Sequence, residues 1–154
     1  IARCHELRLA VIESAPWEPS LVEATEGRTP DCSSPKVYFP GFRQIEELPR
    51  FYAAAGAFIH PALEEPWGLV LNEAMACGRP AIVSDACGCA PELIVERETG
   101  FVFRSGDEAD LLKQMQQFTD KTVSKKMGEK AFEHIRQFSL ERVAEVIEEE
   151  VLSC

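Results

Sequence analysis

A chain of 154 residues, 45% of them hydrophobic, is long enough for one domain with its own core, since a domain takes ~150 residues. Sixteen Lys and Arg against 26 Asp and Glu leave a formal net charge of −10, which repels a phosphate backbone or an anionic membrane surface and excludes nucleic acid and such membranes as expected partners. An anion bound here has to be held by local donors, because the overall field opposes it.

The chain opens Ile1-Ala2-Arg3-Cys4-His5, with no initiator Met and no basic-then-apolar leader. It has no apolar run of about 18 residues that could span a membrane, so a cytoplasmic location is expected, as is a cut from a longer polypeptide. Short apolar runs then recur at residues 7–12, 36–39, 57–59, 81–84 and 100–103, separated by amphipathic stretches. That alternation predicts βαβ units and a three-layer α/β domain whose parallel sheet is covered on both faces.

Residues 26–36 are rich in Pro, Ser, Gly and Asp and read as a surface loop. Leu48, Phe51 and Tyr52 give residues 45–55 a helical spacing, and Leu111, Leu112, Met115 and Phe118 put an apolar side on residues 107–118. Asp107 is the expected N-cap of the second of these, and Gly78-Arg79-Pro80 the expected stop of a helix before it. From Thr122 to residue 152 the pattern is helical, with Ser139 capping a last segment that carries Val143, Val146, Ile147 and Val151. The glutamates at 145 and 148–150 form its solvated face. One domain over residues 1–154 is predicted, with its core in residues 7–118.

Cys4, Cys32, Cys77, Cys87, Cys89 and Cys154 lack the spacing of a zinc site and read as small hydrophobes of a reducing compartment. Cys87 and Cys89 are assigned to packing and loop structure rather than to redox chemistry. His5, His60 and His134 read as packing or solvent-facing residues, His60 lying beside the site described next.

In a parallel α/β sheet, ligands lie beyond the carboxyl ends of the strands. The segment after residues 57–59 is His60-Pro61-Ala62-Leu63-Glu64-Glu65-Pro66-Trp67-Gly68, followed by the apolar helix Leu69-Val70-Leu71-Asn72-Glu73-Ala74-Met75-Ala76. A helix starting near residues 66–68 leaves the N–H groups of Gly68, Leu69 and Val70 without intrahelical partners, in a position that favours a phosphate. Glu65 is explained equally by the helix dipole or by a ligand. Glu73, at helical spacing from Leu69, Val70, Ala76 and Cys77, requires donors if it is buried. Arg79 and a pair of ligand hydroxyls are the alternatives, and the residues alone do not choose between them.

The stretch Glu65-Pro-Trp-Gly-Leu-Val-Leu-Asn-Glu73, followed by Ala74-Met75-Ala76-Cys77-Gly78-Arg79-Pro80, resembles the E-x7-E signature of the family-four retaining glycosyltransferases (glycosyl transferases group 1). Residues 36–42, 51–62, 84–93 and 99–103 resemble further blocks of that family in the same order, so the resemblance covers about residues 7–118. It implies a Rossmann-like domain, the incomplete C-terminal half of a GT-B fold, holding a nucleotide diphosphate sugar as donor, with neither metal nor other cofactor. By the same resemblance Glu73 receives the ribose hydroxyls and Glu65 lies at the transferred sugar as the catalytic carboxylate. Gly68, Leu69 and Val70 meet the diphosphate and sugar, and Gly41, Phe42 and Arg43 border the nucleobase.

The chain departs from the family pattern in several places. Glu13-Ser14-Ala15-Pro16 stands where a Gly-x-Gly-Pro turn is usual, Glu96-Arg97 where an Asp-Gly is common, and the loop at residues 85–91 is one residue longer than its commonest form. The first strand and helix, with the Arg and Lys that clamp the diphosphate, and the N-terminal acceptor domain are expected in cis or in a partner chain. Arg43, Arg79 and Arg104 are not assignable as replacement clamps. The expected function is therefore the donor-binding part of a hexosyl-transferring enzyme, inactive as this chain alone. The alternatives are a non-catalytic binding module, one half of a split enzyme, or another dinucleotide-binding domain, the last disfavoured because no G-x-G-x-x-G follows an expected strand.

Overall fold

The structure, a computed structural model, describes residues 8–10, 36–38 and 43–152. The turn at residues 13–16, most of the surface loop at 26–36, and Gly41 and Phe42 lie outside the described residues. The chain divides into two compact units, Ile1–Ala55 and Gly56–Cys154. In the first, β1 (Arg8–Ala10) pairs in parallel with β2 (Lys36–Tyr38), Leu9 opposite Val37. Helix α1 (Leu48–Ala54) starts later than the apolar spacing predicts. Pro49, which lacks an N–H, is tolerated in its first turn, and residues 44–47 ahead of it form a separate turn closed by the Glu47 N–H on the Gln44 carbonyl at 2.9 Å.

The second unit is built on the parallel sheet β3 (Phe58–His60), β4 (Ala81–Ser84) and β5 (Gly100–Phe103), with β4 central. All four residues of β4 are buried, as an apolar run covered on both faces requires. Ala81 and Val83 share one face with Leu71 and Met75 of α2 (Leu69–Ala76), and Val102 of β5 packs against that cluster. Ile82 points the other way, beside its register partner Phe101, whose ring meets Phe118 at the end of α4 (Glu108–Gln117) edge-on at 5.4 Å. Helices thus cover both faces, the α/β layering that the sequence predicts.

Helix α2 ends in a Schellman motif, with Gly78 left-handed (φ 68°), its N–H on the Met75 carbonyl at 2.8 Å and the Arg79 N–H on the Ala74 carbonyl at 3.0 Å. Asp107 caps α4 by accepting from the Asp110 N–H at 3.0 Å. The apolar side of α4 is narrower than expected: Leu111, Met115 and Phe118 are half-buried, whereas Leu112, one position round, is 55% exposed. The short α3 (Ala90–Leu93) precedes β5, and α5 (Lys121–Ile135), capped by Asp120, packs along α2. After a 3-10 turn at Arg136–Phe138, Ser139 caps α6 (Leu140–Leu152) through the Arg142 N–H at 3.2 Å. No helix among the described residues is long and apolar enough to cross a membrane.

Candidate functional site

The carboxyl ends of β3, β4 and β5 carry three loops that hydrogen-bond to one another. The Ser105 N–H donates to Asp85 Oδ1 at 2.8 Å, and the Ser105 hydroxyl to the Ala62 carbonyl at 3.4 Å. The Glu65 N–H donates to the Ala86 carbonyl at 3.2 Å, the Gly88 N–H to the Glu65 carbonyl at 2.8 Å, and the Cys89 N–H to the Trp67 carbonyl at 3.2 Å. The same Trp67 oxygen accepts from the Cys87 thiol at 3.0 Å, and Cys87 and Cys89 bring their sulfurs to 3.4 Å. Loops that run over a surface are normally mobile, but these backbone bonds turn residues 61–68 and 85–89 into a shared rigid rim.

Cys87 and Cys89 are buried, as packing residues should be. Burial first, and then the neighbouring Cys87 thiol, push the Cys89 thiol up to about 12, so it stays protonated. No group of three or more His, Cys, Asp or Glu among the described residues could hold a metal ion.

Helix α2 leaves this rim. Its N-cap is Gly68 in a left-handed conformation (φ 96°, ψ 61°), and its first helical residue is Leu69, just past the expected start at 66–68. The Leu71 N–H turns back to the Gly68 carbonyl at 2.9 Å. Leu69 and Val70 occupy the first turn, whose N–H groups have no intrahelical acceptor and carry the positive end of the helix dipole. A Cβ on Gly68 would meet Cys87 Sγ at 3.0 Å, Glu65 Cγ at 3.3 Å and His60 Nε2 at 3.5 Å, so these three side chains converge there.

Glu65 turns one carboxylate oxygen, Oε1, to the Trp67 N–H at 3.3 Å and the other, Oε2, toward His60 Nε2 at 3.7 Å. Glu73, one helical turn beyond Leu69, lies elsewhere on α2 than the residues that enter the core, which are Leu71, Ala74 and Met75. It is half-buried beside an exposed Leu69 and Ala76, so its carboxylate is only partly withdrawn from solvent. The spacing was helical as predicted, but those neighbours belong to the outer side of the helix. Glu73 and Arg79 both have partners within the protein, and Arg79 Nε donates to the Cys77 carbonyl at 3.1 Å.

Glu65, Gly68, Leu69, Val70 and Glu73 are thus placed on one loop and the first two turns of one helix. Arg43 belongs to the first unit, where its guanidinium lies 3.6 Å from the Glu47 carboxylate and 5.7 Å from the centre of the Phe51 ring. Sequence reasoning set His60 beside the site but read it as a packing or solvent-facing residue; it is the last residue of β3.

Residues 33–134 match the family described as glycosyl transferases group 1. A sulfoquinovosyl transferase of Arabidopsis thaliana is 31% identical over 137 residues, which is 86% of this chain and 25% of that protein. A D-inositol 3-phosphate glycosyltransferase of Corynebacterium aurimucosum is 36% identical over 115 residues, 73% of this chain and 27% of that one. Among solved structures, a sucrose-phosphate synthase from Thermosynechococcus elongatus superposes with a TM-score of 0.68 at 31% identity, over 76% of this chain and 30% of that one. Anabaena HepE in complex with UDP and glucose superposes at 0.65 with 29% identity, over 77% and 32% of the two chains. The chain therefore spans roughly a quarter to a third of the length of these proteins.

Proposed function

The chain belongs to the glycosyl transferases group 1 family, with part of the C-terminal half of a GT-B fold, and from that premise we propose that it is the donor-binding part of a retaining glycosyltransferase. The observation that carries this reading is the start of α2: a left-handed N-cap at Gly68, first-turn residues Leu69 and Val70 whose N–H groups have no intrahelical acceptor, and a carboxylate on each side at Glu65 and Glu73. A diphosphate fits the N–H groups, because a helix N-terminus supplies both donors and positive potential in a protein whose net charge is otherwise −10. Glu73 then receives the ribose hydroxyls, for which a carboxylate is a two-point acceptor, and Glu65 faces the sugar. HepE binds UDP and glucose, and a nucleoside diphosphate hexose is the corresponding donor class here.

In the reaction the bond between the anomeric carbon and the diphosphate oxygen breaks, a bond to an acceptor oxygen forms on the same face of the sugar, and the acceptor's proton leaves with the departing diphosphate. The work is electrostatic: negative charge grows on the departing diphosphate and positive charge on the ring, and preorganised groups stabilise both. Glu65 acts on the ring side as a fixed negative charge, and neither glutamate serves as general acid or base. Among the described residues, no cation is assigned to that departure. Arg104, just past β5, lies 3.4 Å from Asp107, and Arg79 is engaged at the end of α2. We infer that the chain by itself binds donor weakly and transfers nothing, the acceptor and the cationic clamp coming from further polypeptide in cis or from a partner chain.

Calorimetric titration with the UDP, GDP and ADP sugars tests the assignment. The folded chain should bind one nucleotide class, and Glu73→Ala should lose that binding. Equal binding by Glu73→Ala, or no binding by a folded native chain, contradicts the donor-binding role.

A further inference from the structure

We propose that His60 is a positioning residue for Glu65, its ring Nε2 holding the carboxylate in the orientation that faces the ligand at the start of α2. His60 ends β3 and projects into the rim described above. Its Nε2 is enclosed by protein and has no hydrogen-bond partner, an arrangement that is costly for a polar atom and calls for an acceptor nearby. The nearest acidic group is Glu65 Oε2 at 3.7 Å, beyond hydrogen-bond length but within reach after a shift of less than an ångström.

Everything else about the pair is fixed. The His60 ring is stacked over Phe58, two residues back on the same face of β3, with centroids 6.2 Å apart and planes at 15°. The Glu65 main chain is tied on both sides, to the Ala86 carbonyl and the Gly88 N–H, and its Oε1 is held by the Trp67 N–H. Only Oε2 lacks a close partner among these groups, and it is the oxygen turned to the imidazole. The tautomer with the proton on Nε2 makes the ring a donor to that oxygen. Both groups also close in on Gly68, where a Cβ would lie 3.3 Å from Glu65 Cγ and 3.5 Å from His60 Nε2. Deleting the donor therefore frees the Glu65 carboxylate to rotate, since Oε2 keeps no other close partner among these groups.

A simple packing role for the ring makes a different prediction, because His60→Phe keeps the stack on Phe58 and removes only the donor, while His60→Gln keeps a nitrogen donor and loses the stack. The first measurement needs no ligand. In the 154-residue chain with 15N-labelled histidine, Nε2 of His60 should be the protonated ring nitrogen, and its resonance should move in Glu65→Gln; a resonance that stays put overturns the pairing. The second rests on the reading that Glu65 faces the sugar. His60→Phe, checked for native circular dichroism, should bind UDP-glucose about tenfold more weakly, with the loss confined to the sugar nucleotide rather than UDP, and His60→Gln should recover most of it. Undiminished binding by His60→Phe, or a loss in His60→Gln as deep as in His60→Phe, overturns the positioning role. If the native chain binds UDP-glucose no more tightly than UDP, the sugar assignment of Glu65 fails instead, and the resonance in Glu65→Gln still decides the pair.

Discussion

Gly88 donates its backbone N–H to the Glu65 carbonyl at 2.8 Å, and a Cβ on Gly88 would run into the Pro66 carbonyl. The rim therefore depends on a contact between two backbones that leaves no room for a side chain. Gly88→Ala has to push main chain rather than a flexible side chain, which costs about 2 kcal/mol. Urea unfolding should show a lower midpoint at unchanged slope, and an unchanged midpoint contradicts the tight stitching of the two loops.

Gly68 is a second position where the backbone decides. Its φ of 96° is rarely adopted by other residues, and a Cβ would also stand 3.0 Å from Cys87 Sγ. Gly68→Ala should lose about 1–2 kcal/mol of stability and weaken UDP binding, because the added methyl displaces the groups around the first turn of α2. Unfolding and calorimetry on the same preparation separate the two effects.

Arg97 has φ 65°, unusual for a residue with a side chain, and it stands where the family pattern commonly has glycine. Left-handed backbone costs a non-glycine residue about 1–2 kcal/mol, partly offset by the greater freedom that glycine has when unfolded. Arg97→Gly should accordingly raise stability by about 0.5 kcal/mol, read as a higher unfolding midpoint. A drop would mean that the Arg97 side chain contributes something that compensates for its backbone.

The Cys89 thiol, pushed up to about 12 by burial and by Cys87, gives the fold an alkaline limit. The unfolded thiol ionises near its ordinary value of 9.0 while the folded one stays neutral, so the folded state holds more protons above that pH. This contribution is fully present below pH 9.0 and is lost as pH rises toward about 12. Cys77, raised by burial with Arg79 opposing, acts in the same direction. The unfolding free energy should fall over that range and fall less steeply in Cys89→Ala. Parallel curves for the two proteins contradict this.

Much of the fold was legible because strand and helix periods differ. The apolar runs at 81–84 and 100–103 became β4 and β5 with the same bounds, and Asp107, Ser139 and Gly78 cap or stop helices where their side chains or lack of one demand it. What periodicity does not carry is which side of an almost wholly apolar helix faces inward. Helix α2 buries Leu71, Ala74 and Met75 and leaves Leu69 out, so Glu73 lies in a more open setting than its neighbours suggested. Leu112 misled for a different reason: it lies next to Leu111 at the edge of the apolar side of the mostly polar α4. His60 was placed beside the site, but its relation to Glu65 was not legible, since it arises from a strand end and a loop that fold together.

The reading of α2 as the diphosphate site is tested most directly by amide NMR of the 15N-labelled chain titrated with UDP. The N–H resonances of Gly68, Leu69 and Val70 should shift most, with Glu73 next, and Glu73→Ala should reduce the response at a given UDP concentration. A response centred away from the start of α2, or none up to millimolar UDP in a folded chain, contradicts the assignment of this helix to the donor.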